Sequence, residues 1–195
     1  MHMTVRLEPF AQITRHTKEA VRNRHKLGDT PWNDDEFGDT GQRRYSGYHA
    51  LALVLSEIVI AQGCTVALAG EFLRAQAFVV NLFLDEIENG QTITPRFVLA
   101  MQSAVEDDAT GASWMPQFLA GMGTLGEVNG AIQDAIQQVG TVREARDGRS
   151  KTRIIAGPWI ALASIPEAYR LLKQRAEAVG FGIDGRRIYK LEAGE

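Results

Sequence analysis

Apolar residues recur at helical spacing from the start of the chain to about residue 89, and the texture then shifts toward strand-length runs. In the first segment Phe10, Ile13, Val21 and Leu27 are the larger apolar positions. The polar run Thr14-Arg15-His16-Thr17 interrupts them, and Thr17 suits an N-cap because its hydroxyl can accept from a backbone N–H of the first turn. The pattern predicts two short helices, about Glu8 to Thr14 and Lys18 to Leu27, the second ended by Gly28. Asp29 to Gln42 is expected to be a loop, with Pro31, Asn33, Gly38 and Gly41 and five acidic residues (Asp29, Asp34, Asp35, Glu36, Asp39). Ser46 is a second N-cap candidate for a helix running to Gln62 and stopped by Gly63. A further helix is predicted from Thr65 to about Glu88, with Asn89-Gly90 as its stop.

From Pro95 onward the expected elements are mixed. Arg96 to Val105 has strand-like length, Gly121 to Gly140 has helical spacing, and Thr141 to Thr152 is a polar, basic loop. Arg153 to Ile165 is a predicted strand with Gly157-Pro158 marking a bulge or edge. Pro166 opens a helix to Val179, since proline fits the first helical turn, and Arg187 to Leu191 closes the chain as a short strand. The expected fold class is α+β. A mainly helical unit (1–90) carries a winged helix-turn-helix, and a mixed α+β unit (91–195) serves dimerisation, partner or ligand binding, with the boundary near Asn89 to Thr94.

Composition narrows the function classes. The 195 residues are 45% hydrophobic and 23% charged, which suits a packed globular chain. Cys64, the lone cysteine, excludes an internal disulfide and a multi-cysteine zinc site, and its apolar neighbourhood suggests a buried thiol. No apolar run has bilayer length and no signal peptide is visible, so a cytoplasmic protein without membrane contact is expected. The net charge of -3 does not favour nucleic acid, so any basic surface must be local. Met1 to Gly28 supplies one, with six basic residues (Arg6, Arg15, Lys18, Arg22, Arg24, Lys26) against Glu8 and Glu19.

Two short helices joined by a tight turn form a helix-turn-helix pattern. Lys18, Arg22, Asn23, Arg24, His25 and Lys26 mark the second helix, and arginine and asparagine are the side chains that read guanine and adenine edges. Gly41-Gln42-Arg43-Arg44-Tyr45-Ser46 follows as a candidate wing, whose arginines and tyrosine hydroxyl would hold phosphates. In this order the pieces resemble MerR-type winged-helix regulators: Phe10-Ala11 in the first helix, Thr14 and Thr17 at the turn, Val21-Arg22 in the recognition helix. Gly41, Arg43, Tyr45 and Ser46 then match the wing, and Gln62 to Ala69 the elbow of a second helix pair. The resemblance covers about Leu7 to Leu73; Asn23 and Arg24 stand where the family has paired tyrosines, and the loop before the wing is long and acidic. It implies double-stranded DNA as partner, Thr17, Lys18 and Arg22 at the DNA, and Arg43 and Tyr45 on its backbone. With Arg15, Asn23, Arg24, Lys26 and Arg44 these complete the expected DNA-binding set. The expected function is a sequence-specific, MerR-like transcriptional regulator binding as a homodimer, with RNA polymerase or another regulatory protein as a possible partner. The alternative is a phage-type assembly factor: an excisionase, packaging factor or late-gene activator.

Other features favour structural roles. The apolar stretch from Phe78 to Leu84 suggests either a helix buried between the two units or a homodimer interface. His2, His16, His25 and His49 form no metal-ligand spacing, and Gly121, Gly123 and Gly126 carry a glycine spacing that superficially suggests phosphate binding but lack the lysine of a P-loop. Asp107-Asp108 suits a turn rather than catalytic carboxylates, Trp114 and Trp159 an aromatic core rather than the lining of a small-molecule pocket, and Arg143, Arg146, Arg149, Lys151 and Arg153 a solvated basic loop or an extra phosphate clamp. No catalytic residue, metal or cofactor is expected.

Overall fold

A computed structural model describes residues 4–37, 43–107, 111–117, 123–144 and 151–192. Helices α1 (Leu7–Thr14) and α2 (Lys18–Leu27) fall where the apolar spacing placed them. The Thr17 hydroxyl accepts from the Ala20 N–H at 3.1 Å, and Gly28 ends α2 at φ 72°. Between them Arg15 takes the left-handed conformation, φ 57° and ψ 35°, which turns the chain within three residues. A 3-10 turn, Asp34–Phe37, precedes α3 (Gly47–Ala61), whose residues from Gly47 to Ser56 are all buried. In place of the usual glutamate, His49 Nδ1 accepts the Ser46 N–H at 3.0 Å at the start of α3.

The predicted helix from Thr65 to Glu88 is two helices, α4 (Val66–Ala75) and α5 (Ala77–Glu88), bent by 60° at Gln76. The cause lies in the sheet. Strand β1 (Phe97–Asp107) pairs antiparallel with β2 (Gly111–Gln117) on one side and β4 (Lys151–Ser164) on the other, and β4 also pairs with β3 (Val142–Glu144). The order is β2-β1-β4-β3, but β2 reaches only as far as Met101 and β3 only as far as Arg153. Leu99 and Leu162, which face each other in register, therefore have backbone groups beyond the reach of either edge strand. Gln76 supplies the missing partner on one edge: its Nε2 donates to Leu99 O at 2.7 Å and its Oε1 accepts from Leu99 N–H at 2.9 Å. Gln62, just past α3, does the same for Leu162 at 2.9 and 3.1 Å. Each amide thus stands in for one residue of a further strand, and leaving the helical path at Gln76 (φ -105°, ψ 15°) lets it do so.

Helix α6 (Leu125–Gln137) is capped by Thr124, which shares a reciprocal box with Glu127, and packs Val128 and Ala135 on Leu99 and Met101. Helix α7 (Ile165–Glu177) follows β4, and the hairpin β5 (Phe181–Asp184) and β6 (Arg187–Lys190) ends the described chain. Two further sequence expectations are corrected, and one of two alternatives is decided. The segment expected as a loop, 141–152, contributes β3 and the start of β4, because Val142 to Glu144 pair with Lys151 to Arg153. Trp114 lies on an edge strand at 57% exposure rather than in the core, while Trp159 is part-buried against it. Of the apolar stretch from Phe78 to Leu84, Val79, Val80, Phe83 and Leu84 are buried within the chain, Leu82 is part-buried and Phe78 stands outside at 65%.

The mostly exposed segment 89–94, where the boundary is expected, joins two stretches that share apolar core. Phe10, Leu51, Phe72 and Leu84 share a single apolar cluster with Val98, Ala163, Ile165 and Leu172. Tight backbone contacts join the same parts. The Gly47 N–H donates to Arg186 O at 2.8 Å, and a Cβ on Gly47 would stand 2.4 Å from Gly185 O. Arg186 in turn bonds Asp85 and Glu88 of α5, each at 2.8 Å. A buried pair, Arg96 with Glu86, ties the first residues of the second half to α5. Burial opposes ionisation of Glu86, but the Thr94 N–H and the Arg96 guanidinium outweigh it and hold the carboxyl below the usual range. Among the described residues, no single helix is long and apolar enough to cross a membrane.

Candidate nucleic-acid interface

Helix α2 buries Val21 and His25 and turns Lys18, Arg22, Asn23 and Lys26 outward. Arg15 is exposed in the turn, and Arg43 and Arg44 are exposed beyond the acidic loop. Their ion pairs are long: Lys18 to Glu8, Arg22 to Glu19 and Arg43 to Asp34 each span 3.8 Å. Such exposed pairs contribute little and exchange readily for another anion. The side chains of Arg15, Asn23, Lys26 and Arg44 make no hydrogen bond or ion pair with the described residues. Arg22 and Arg43 both lie near enough to act electrostatically on Tyr45, which brings α2 and the segment before α3 into one basic neighbourhood.

Three members of the expected set have other work. Tyr45 is 2% exposed, stacks on Phe10 at 4.1 Å between ring centres, and lies 3.1 Å from His25 Nε2 through its hydroxyl. It is a core residue rather than a phosphate clamp, and burial raises its pKa above the ordinary phenol range. Arg24 turns toward α3 and donates to Ser56 Oγ at 3.1 Å; burial lowers its pKa against the pull of Glu57 and Asp29. Thr17 acts as the helix cap. Gly41 and Gln42 of the expected wing lie outside the described residues. What is described of that segment is one antiparallel bridge, Val5 to Tyr45, with N···O distances of 2.9 and 2.8 Å.

The acidic loop is partly turned inward. His25 Nδ1 lies 2.8 Å from Asp34 Oδ1, inside a cluster of Phe10, Trp32, Phe37, Tyr45 and His49. Burial pushes the His25 pKa down, Asp34 resists and Arg43 adds to the depression, so the ring is neutral near pH 7. It then donates from Nδ1 to Asp34 and accepts from the Tyr45 hydroxyl. The sequence signal for this cluster was the density of aromatic and histidine residues between Phe10 and His49, which the search for basic residues passed over.

Two further contacts fix the pose of α2. Arg74 of α4 donates to Gly28 O at 3.1 Å and also to Thr30 O, and a Cβ on Gly70 would lie 2.8 Å from Asp29 O. At the other end Glu57 of α3 accepts from Arg175 Nη1 of α7 at 2.8 Å and lies 3.1 Å from His16 Nδ1, whose hydrogen bond is with Thr14 O at 3.0 Å. The turn between α1 and α2 is thus anchored by residues far along the chain.

Elsewhere the chemistry is sparse. Cys64 is buried and burial raises its thiol pKa, so little thiolate forms near pH 7. Asp107 accepts from Thr152 Oγ1 at 3.1 Å, across the β1–β4 register, and Asp108 lies outside the described residues. No group of three metal-ligating side chains occurs among the described residues. An open pocket of about 330 Å³ lies along α7, lined by Phe83, Ile93, Tyr169 and Lys173 among others. It includes no residue of the basic helix, and its Tyr169 hydroxyl accepts the Gly185 N–H at 2.8 Å. Comparison with protein-family models and with curated protein sequences finds no match.

Proposed function

We propose that the protein binds double-stranded DNA through α2, as a sequence-reading regulator of MerR-like type acting as a homodimer on the nucleoid. The observation that carries this reading is the outer surface of α2. Lys18, Arg22, Asn23 and Lys26 share a short helix whose base is pinned by Arg24, Arg74 and the Glu57 contacts. Rigid backing of this kind suits recognition, because side chains that must meet base edges are held without a further ordering cost. Arg22 and Asn23 are the base-reading candidates, while Lys18, Lys26, Arg15, Arg43 and Arg44 would lie against phosphates.

Selection of bound fragments from genomic DNA, followed by titration of the enriched sequence, tests this. Arg22→Ala is expected to weaken binding to that sequence by about 1–3 kcal/mol. Lys26→Ala should weaken all sequences alike and reduce the log-log salt slope by about one unit. Absence of DNA binding at low salt would overturn the proposal.

A further inference from the structure

The open face of the four-stranded sheet carries an apolar surface with a charged pair at its centre. On β1, Leu99, Met101, Ser103 and Val105 point to one side and are buried, while Ala104 and Glu106 alternate to the other. The register sets Ala112, Glu106, Arg153 and Val142 in one row across all four strands, with Trp114 and Ala104 in the next. Trp114 and Val142 are each 57% exposed. Ile155, skipped by the register shift between Ala104 and Val105, is 44% exposed beside them. Three large apolar side chains on one sheet lobe exceed the scattered single residues of an ordinary surface. Glu106 and Arg153 are opposite in register, yet neither forms an ion pair with a described residue.

We propose that this face is the homodimer interface, with a second copy of the chain as its occupant. The charges choose the occupant. A patch that holds one carboxylate and one guanidinium side by side is complementary to itself after a two-fold rotation, so Glu106 of each copy meets Arg153 of the other. Trp114, Val142 and Ile155 then close around the pair and exclude water. The inference extends the dimeric part of the reading above and does not depend on DNA binding, which the fragment selection tests separately.

Sedimentation equilibrium of the full chain over a micromolar range decides it. The wild type should be dimeric, and Trp114→Glu should be monomeric with unchanged circular dichroism. Phe78→Asp, at an exposed aromatic on α5, should stay dimeric. Arg153→Glu alone and Glu106→Arg alone should each be monomeric, because each places like charges across the axis. Mixed in equal amounts they should form a heterodimer, since both cross-axis pairs are then attractive. A monomeric wild type, a dimer that persists in Trp114→Glu, or a mixture that stays monomeric would overturn the proposal.

Discussion

Replacing Gln76 by alanine isolates the contribution of an amide that substitutes for a strand. Gln76 is 5% exposed and Leu99 is 1% exposed, so truncation leaves the Leu99 N–H and C=O without partners in a dry setting. A buried polar group deprived of its bond costs about 1–3 kcal/mol, and two such groups give about 2–6 kcal/mol. A water entering the vacated polar space restores part of this, which sets the expected loss at about 2–4 kcal/mol. Gln62→Ala removes the equivalent pair from Leu162 on the other edge, but Gln62 is exposed and solvent replaces its bonds directly. Its expected cost is about 0.5–1 kcal/mol. Urea unfolding of both variants gives the comparison, and in a chain of this size each kcal/mol shifts Tm by roughly 2–4 °C. Amide exchange at Leu99 should accelerate in the Gln76 variant alone. Equal losses in the two variants, or a loss below about 1 kcal/mol for Gln76→Ala, would refute the reasoning.

Four other outcomes are expected. Tyr45→Phe should destabilise by about 1–3 kcal/mol, because His25 Nε2 loses its donor in the core, and should leave DNA affinity unchanged at temperatures where the variant is folded; a loss of affinity without a loss of stability would return Tyr45 to the interface. Stability should fall as pH drops below about 6.5: the unfolded chain takes up the His25 proton near its ordinary 6.5 while the folded chain takes it up only at lower pH, so the unfolded state binds more protons there. Thermal melts at pH 7.5 and 5.5 on wild type and His25→Gln measure this, and a drop of equal size in both would assign it to other groups. Gly47→Ala should cost about 1–3 kcal/mol, since its Cβ meets Gly185 O at 2.4 Å and must push the β5–β6 hairpin off α3; an unchanged urea midpoint would contradict that packing. Gly70→Ala should weaken DNA binding more than its effect on stability accounts for, because the clash with Asp29 O displaces the end of α2; wild-type affinity in a folded variant would remove α4 from the support of the interface.

Local pattern determined the elements whose signals lie within a few residues. The ends of α1 and α2, the Thr17 cap and the Gly28 stop follow from helix-capping chemistry that needs no distant partner. The same holds for α7, opened by Ser164 and Pro166, and for the α+β class itself. The outward basic residues Arg22 and Lys26 of α2 were legible because a helix with Val21 on its inner face turns the positions one and five residues further on away from that face. Tertiary structure decided what depended on partners far along the chain. The break at Gln76 goes with the bonds of its amide to Leu99, 23 residues on, and no periodicity within α4 and α5 encodes them. Arg24 and Tyr45 left the candidate set because Ser56 and His25 offered them buried partners, while Arg22 and Arg43 had only weak pairs in solvent. The contacts between the stretches on either side of residue 90 were not legible for the same reason. A glycine pair of backbones, an arginine on α7 and a glutamine amide each join one half to the other, and a residue type does not state which distant group it will meet.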